Sequence, residues 1–415
     1  MATPKPDAPQ YTEYLLRAAH QFGTPTYVYV ESTIRHQCAA LQDFVAPLPN
    51  RLLYAMKANA QPAILRIMRS EGFGIDAVSP GELALALRVG FAPSDILFSA
   101  NNMTDEEMDE AHNRGALLNI GELSRLEKYG QAFPGSAVCV RLNPQIGAGH
   151  HEHVVTAGAR SKFGIPVNEV PAIQAIARRY RLDVRGLHQH IGSGILDARS
   201  FWLAIRVLLS TAGAFPDLQF LNVGGGLGIP YRPEDPRITL EAFREAIAEP
   251  LLAFKERHPA DSLTFWFEPG RFLVAEAGVL LTRVNTLKQT REHTFAGTDS
   301  GMSHLLRPAM YGAHHEIRNL SNPHGGVRPY DVTGNICESA DLFARGRPLP
   351  EIREGDILAV LDVGAYGMSM ASTYNLRPLP AEVLLGTDGT LHLVRPRLTS
   401  QALAEALLAN SAFPI

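Results

Sequence analysis

Four short stretches of the sequence carry side chains able to do covalent or acid–base chemistry. The apolar run Leu52–Ala55 passes through Met56 into Lys57, Ala58 and Asn59. An apolar wall desolvates an ammonium and lowers its pKa, which suits a lysine for a Schiff base with a carbonyl; a lysine at a strand end also simply reaches solvent along its apolar stem. Residues 186–194 read GLHQHIGSG. The two-residue period of a strand puts His188 and His190 on one face, where an imidazole either covers a planar ligand or sits as a satisfied core side chain. Residues 222–228 read NVGGGLG, and Gly224, Gly225 and Gly226 let backbone amides approach an anion closely. Ile229 stands where a GxGxxG fingerprint would have its last glycine, and no GxxxxGK[ST] occurs, so dinucleotide and Walker-type sites are disfavoured. Residues 267–271 read FEPGR, offering the Glu268 carboxylate to a ring nitrogen and the Arg271 guanidinium to an anion, or the two to each other as an ion pair. A Schiff-base lysine, phosphate-cradling glycines and an acid for a pyridine nitrogen form the set that pyridoxal 5′-phosphate requires of its protein.

Such chemistry needs these stretches gathered at one end of a scaffold. Apolar or β-branched runs recur at 51–58, 74–79, 95–100, 116–121, 137–144, 185–193, 220–226 and 264–271, with helical spacing between them. The spacing suffices for compact strand–helix units and predicts a parallel sheet. Pro80, Gly81 and Glu82 open a helix that Gly90 stops, and Thr104 caps another with Glu107 in capping-box position. Eight such units predict an α/β fold, a pyridoxal-phosphate-binding (β/α)8 TIM-like barrel, since open doubly wound sheets usually stop sooner. In a barrel the reactive groups follow the strands' C-terminal ends, where Lys57, His190, Gly224 and Glu268 fall. Beyond Leu281 the runs 331–337, 356–362, 381–386 and 391–395 are separated by turn residues and predict a C-terminal all-β domain. Thr26–Val30 is expected to join its sheet. The expected divisions are 1–30 for the N-terminal segment contributing to the β-domain, 31–283 for the barrel and 284–415 for the β-domain.

Composition narrows the function classes. The 415 residues hold 38 Lys+Arg against 42 Asp+Glu, a net charge of −4, which leaves no overall positive field for nucleic acid or an anionic membrane surface. Apolar runs such as 277–281 and 358–363 fall far short of the roughly 20 residues that cross a bilayer, and residues 1–20 lack the features of a secretory signal. Cys38, Cys139 and Cys337 are odd in number and widely separated, which fits reduced thiols and a cytoplasmic setting. The cluster His150, His151, Glu152 and His153 lacks the spacing of a helical ligand pair, so no metal is expected.

Taken together, YAMKAN, HQHIGSG, NVGGGLG, EPGR, CESAD and GAYGMSMASTYNLRP resemble, in this order from about Thr24 to Arg395, the fold-type III pyridoxal-phosphate decarboxylases, and among them the branch acting on diaminopimelate. The resemblance implies a barrel with a β-domain and a cofactor held on Lys57. His190 would stack on its ring, Glu268 would pair with its nitrogen, and Ser193, Gly224, Gly225 and Gly226 would hold its phosphate. Gly270 and Arg271 would lie beside phosphate and substrate, Tyr366 would return to the phosphate, and Asp76 would support Lys57 or cap its own strand end. It further implies that Arg307 and Tyr311 bind a substrate carboxylate. Cys337 would return a proton to Cα and Glu338 would bind the distal ammonium, both entering from the second copy of a homodimer with shared active sites. The implied reaction takes the small amino acid meso-2,6-diaminopimelate to L-lysine and CO2, the last step of lysine biosynthesis. Ornithine-type relatives have an aspartate-containing CDG motif where this chain has Cys337, Glu338 and Ser339. Another diamino acid, a carboxylated polyamine or siderophore precursor, and a non-catalytic pyridoxal-phosphate-binding role stand as alternatives.

Overall fold

The computed structural model describes residues 6, 9–146, 157–158, 161–236, 239–258 and 262–409. The chain opens with helix α1 (Pro9–Phe22), strand β1 (Thr26–Val30) and helix α2 (Glu31–Val45). Strands then alternate with helices: β2 (Asn50–Ala55), α3 (Pro62–Ser70), β3 (Gly74–Ala77), α4 (Pro80–Val89), β4 (Ile96–Phe98), α5 (Asp105–Asn113), β5 (Leu117–Ile120) and α6 (Leu123–Ala132). They continue as β6 (Ala137–Asn143), the two-residue β7 (Ile165–Pro166), α7 (Val170–Tyr180), β8 (Asp183–His188), α8 (Ala198–Ala212), β9 (Phe220–Asn222), α9 (Leu240–Arg257) and β10 (Thr264–Phe267). Two compact units emerge, Gln37–Pro230 with Pro236–Phe272, and Met1–His36 with Tyr231–Asp235 and Leu273–Ile415.

The first unit is the barrel. β2 pairs in parallel with β3, and the ladder passes through β4, β5, β6, β8 and β9 to β10, which pairs back with β2. All eight expected strands are present, each ending sooner than its apolar run, because the backbone at the mouth leaves the ladder to form the loops. The helices begin where the sequence signals them. Ser79 Oγ accepts the Glu82 N–H at 3.2 Å, and α4 stops at Gly90 in the left-handed region. Thr104 Oγ1 accepts the Glu107 N–H at 3.2 Å while the Glu107 carboxylate accepts the Thr104 N–H at 2.9 Å, a complete capping box. Leu53, Leu97, Cys139 and Phe220 from alternate strands fill the interior, and the Phe220 ring stacks on Trp266 at 3.7 Å.

The second unit is a mostly antiparallel sheet built on the long strand β11 (Gly278–Gln289), followed by β12 (Thr294–Thr298), β13 (Ile317–Asn319), β14 (Val327–Thr333), β15 (Leu342–Pro350), β16 (Ile357–Val360), β17 (Ala381–Leu385) and β18 (Leu391–Arg395). β1 joins it as expected, antiparallel to β11 and parallel to β17. Helix α1 packs Leu15, Ala18 and Ala19 against Val28, Val30, Leu281 and Val383. The run 331–337 is strand only to Thr333. Asp341 draws the following backbone aside, its carboxylate accepting the N–H of Ile336 at 2.7 Å and of Met302 at 2.6 Å. No helix among the described residues is long and apolar enough to cross a membrane.

Candidate active site

The C-terminal ends of the barrel strands converge on a cavity of about 450 Å³, within the range of small-ligand sites. β2 ends at Ala55, and a single 3-10 turn, Met56–Ala58, carries Lys57 to the rim. Lys57 Nζ pairs with Oδ2 of Asp76, which β3 holds wholly buried. Burial pushes the Asp76 carboxyl above the usual carboxylate range and nearby Glu268 adds to this, while Lys57 opposes it. Arg141 of β6 lines the same cavity, its guanidinium 4.8 Å from the Phe163 ring centre.

Glu268 follows β10 and is 4% exposed. Its Oε2 lies 2.9 Å from His188 Nε2, and its Oε1 accepts from Asn222 Nδ2 at 2.7 Å. Burial alone would raise this carboxyl, but His188 through its hydrogen bond, together with the Lys57 ammonium, outweighs it and holds Glu268 near 2. The glycine turn is threaded between neighbouring backbones. A Cβ on Gly225 would stand 1.9 Å from the Glu268 carbonyl oxygen, and one on Gly224 would stand 2.3 Å from that of Gln189. The glycines are thus demanded by close backbone approach. The Gly225 N–H donates to His190 Nδ1 at 3.2 Å, which leaves Nε2 as the protonated nitrogen of a neutral imidazole. Burial, then the positive Arg141 and Lys57, hold His190 well below the usual imidazole range. The Arg271 guanidinium donates to Ser193 Oγ through Nε at 3.3 Å and Nη2 at 3.1 Å. Gly270 lies close against Ala55 and Ala58.

The sequence-predicted residues therefore fall into two sets. Lys57, Asp76, His190, Ser193, Gly224–Gly226, Glu268, Gly270 and Arg271 belong to the barrel; Arg307, Tyr311, Cys337, Glu338 and Tyr366 belong to the β-domain unit. In the latter, Arg307 is buried with Nη1 2.8 Å from His315 Nε2 and its guanidinium 4.3 Å from the Tyr231 ring centre. His315 Nδ1 lies 2.9 Å from the Leu361 carbonyl and His314 Nδ1 2.9 Å from that of Tyr231. Tyr311 is half-buried. Cys337 and Glu338 are exposed, with Cys337 Sγ 3.3 Å from Asn375 Oδ1. Tyr366 has a φ of 55°, uncommon for a bulky residue. His150–His153 lie outside the described residues.

Three side chains enter the site through partners that no sequence motif names. His188 shares a strand face with His190 and meets Glu268 only in the folded barrel; Asn222 stands two residues before Gly224; Arg141 lies within β6, two residues before its end at Asn143. The donor set suits pyridoxal 5′-phosphate: an amine beside a buried carboxylate, a neutral imidazole, an ionised carboxylate for a ring N–H, and an arginine–serine pair with a glycine turn for a dianion.

The comparisons with known proteins agree with this geometry. A family model described as pyridoxal-dependent decarboxylase, pyridoxal binding domain, matches residues 31–275. The diaminopimelate decarboxylase of Methanothermobacter thermautotrophicus is 44% identical over 396 residues, covering 92% of this chain and 91% of that protein. A crystal structure of a diaminopimelate decarboxylase aligns with a TM-score of 0.89 at 35% identity, covering 99% of this chain and 100% of the other. That of the Helicobacter pylori enzyme complexed with L-lysine aligns at 0.88 and 31% identity, covering 95% and 100%. Likeness of this extent, in sequence and in fold alike, makes the chain a member of the pyridoxal-dependent diaminopimelate decarboxylase family.

Proposed function

We propose that this protein decarboxylates meso-2,6-diaminopimelate to L-lysine and CO2, the last step of lysine biosynthesis, with pyridoxal 5′-phosphate as cofactor. The observation that carries the reading is the convergence of Lys57, Asp76, His188, His190 and Glu268 on one cavity in a chain 44% identical to a diaminopimelate decarboxylase. Bound pyridoxal 5′-phosphate supplies a carbonyl for the substrate's amine and a ring that takes up the electrons left when CO2 departs. Lys57 would hold the cofactor through its Nζ. Asp76, raised above the usual carboxylate range and paired with Lys57, takes up the proton that Nζ must lose. Glu268 stays ionised and pairs with the ring N–H, while neutral His190 covers the ring without adding a charge. The Gly224–Gly226 turn, Ser193 and Arg271 would hold the phosphate, with Tyr366 contributing, and Gly270 lets the turn that carries Lys57 pack close at Ala55 and Ala58.

In the same reading Arg307 and Tyr311 bind the substrate's distal carboxylate. Glu338 of a second copy binds the distal ammonium, and Cys337 of that copy delivers the proton to Cα. The enzyme then works as a homodimer with shared sites, in the cytoplasm. CO2 release from the purified enzyme supplied with cofactor, offered diaminopimelate, lysine, ornithine and arginine in turn, tests the reading: turnover of diaminopimelate well above the other three is expected, and none on diaminopimelate rejects it.

A further inference from the structure

The carboxylate of Glu268 is held more firmly than a cofactor partner alone requires. Its two oxygens each have a donor within 2.9 Å, His188 Nε2 on one and Asn222 Nδ2 on the other. The orientation of the Asn222 amide is itself fixed, because its Oδ1 accepts the Gly224 N–H at 2.9 Å and so its NH2 must face Glu268. Gly224 closes the circuit: its carbonyl accepts the Glu268 N–H at 2.9 Å. Three hydrogen bonds thus join the glycine turn, Asn222 and the acid into one ring. His188 adds a second constraint. It is 1% exposed, and its Nδ1 is buried without a hydrogen-bond partner among the described residues. A proton on Nδ1 would be a stranded buried donor and would turn the Nε2 lone pair toward the carboxylate. The favoured arrangement puts the proton on Nε2, donating to an ionised Glu268.

We infer that His188 and Asn222 are positioning residues, His188 keeping Glu268 ionised and Asn222 setting its distance from the glycine turn, so that a ligand is gauged between its anionic end and its ring N–H. The inference rests on the reading that Glu268 faces the ring nitrogen and the glycine turn the phosphate. His188 acts through Glu268, and Asn222 acts through Glu268 and the glycine turn together. The two have separable signatures. Loss of the His188 donor weakens the ring end alone, whereas loss of Asn222 weakens both ends, since its side chain holds both.

The test titrates the full-length apoenzyme with pyridoxal 5′-phosphate, followed by the bound cofactor's absorbance, and separately with inorganic phosphate as a competitor. His188→Phe should raise the cofactor's Kd about tenfold or more, the scale of one lost hydrogen bond to a charged group, while the phosphate affinity stays within about twofold of wild type. With diaminopimelate, kcat should fall about tenfold and KM move less than about threefold, as for an interaction used mainly in the transition state. His188→Gln, which returns an N–H near the lost one, should recover most of both. Asn222→Leu, similar in shape but without donor or acceptor, should weaken phosphate and cofactor alike. A His188→Phe enzyme with wild-type cofactor affinity, or a His188→Gln enzyme no better than His188→Phe, overturns the inference. If His188→Phe does not fold, Asn222→Leu decides, and unchanged affinity for both ligands overturns it. Wild-type protein that binds cofactor yet leaves diaminopimelate intact would reject the proposed substrate, while the affinity comparison still decides the roles of His188 and Asn222.

Discussion

Burial sets the ionisation of the side chains that matter most, and neighbours decide its direction. Asp76 and Glu268 line one cavity, yet burial and Glu268's own charge push Asp76 up while His188 brings Glu268 down to about 2. The same balance makes His304 of the β-domain a determinant of stability. It is 2% exposed, its Nδ1 lies 3.1 Å from Ser300 Oγ, and burial, with the positive Arg377 and Arg397, lowers it to about 4. Unfolded, it titrates near the ordinary histidine value of about 6.5, so between the two values the unfolded chain binds the proton more readily and stability falls as pH falls. From pH 7 to pH 5 this one group should cost about 2 kcal/mol. Thermal melting of wild type and His304→Gln over that range checks it: the variant should lose less stability on acidification, and parallel losses would refute the assignment.

Strand and loop ends carry the chemistry, and a few buried polar groups hold them. β10 stops directly before Glu268, and β2 and β9 stop two residues before Lys57 and Gly224, while Asp76, Arg141 and His188 sit near the C-terminal ends of β3, β6 and β8. In the β-domain the loop bearing Cys337 and Glu338 hangs on Asp341, whose carboxylate accepts two backbone N–H groups and lies within 3.0 Å of a Cβ built on Gly301 or Gly334. Burial raises Asp341, and the two N–H bonds oppose it. Asp341→Ala removes both anchors at a cost of about 1–3 kcal/mol to the loop, too little to unfold a domain of this size. The expected variant has wild-type circular dichroism and cofactor absorbance with kcat lowered about tenfold or more through misplaced Cys337 and Glu338. A wild-type kcat would show that the loop does not serve the reaction.

At the scale of the whole molecule, a chain with net charge −4 gathers Lys57, Arg141 and Arg271 in its barrel unit, a local field suited to a phosphate despite the acidic average. The proposed shared sites make the dimer itself testable. Lys57→Ala and Glu338→Ala enzymes should each be inactive, but after unfolding and refolding together in equal amounts they should recover roughly a quarter of wild-type activity, since half the dimers are mixed and each mixed dimer has one intact site. No recovery, with mixed dimers demonstrated by differently tagged chains, would place every site within a single protomer.

The sequence by itself determined the local structure wherever one stretch of chain carries the whole signal. The Thr104–Glu107 box, the helix start at Pro80–Glu82, the stop at Gly90, the eight apolar runs and the glycine turn are such features, and the motifs that contain Lys57 and Glu268 are legible in the same way. Where the signal depended on a partner, it failed. β15 carries Pro348 and Pro350, which read against a strand, and it exists as an edge paired with β14, whose Pro329 stands opposite Pro348. β11 runs from Gly278 to Gln289 because the sheet gives it β1 and β16 as partners over its first half and β12 over its second, which no short apolar run announces. The run into Cys337 leaves the sheet because Asp341, further along the chain, offers its N–H groups a better acceptor. Only the tertiary structure brought His188 and Asn222 to Glu268 across 80 and 46 residues and Asp76 to Lys57 across 19. Residue type and spacing name the groups that can react, but their ionisation and aim come from burial and from neighbours that only the closed barrel supplies.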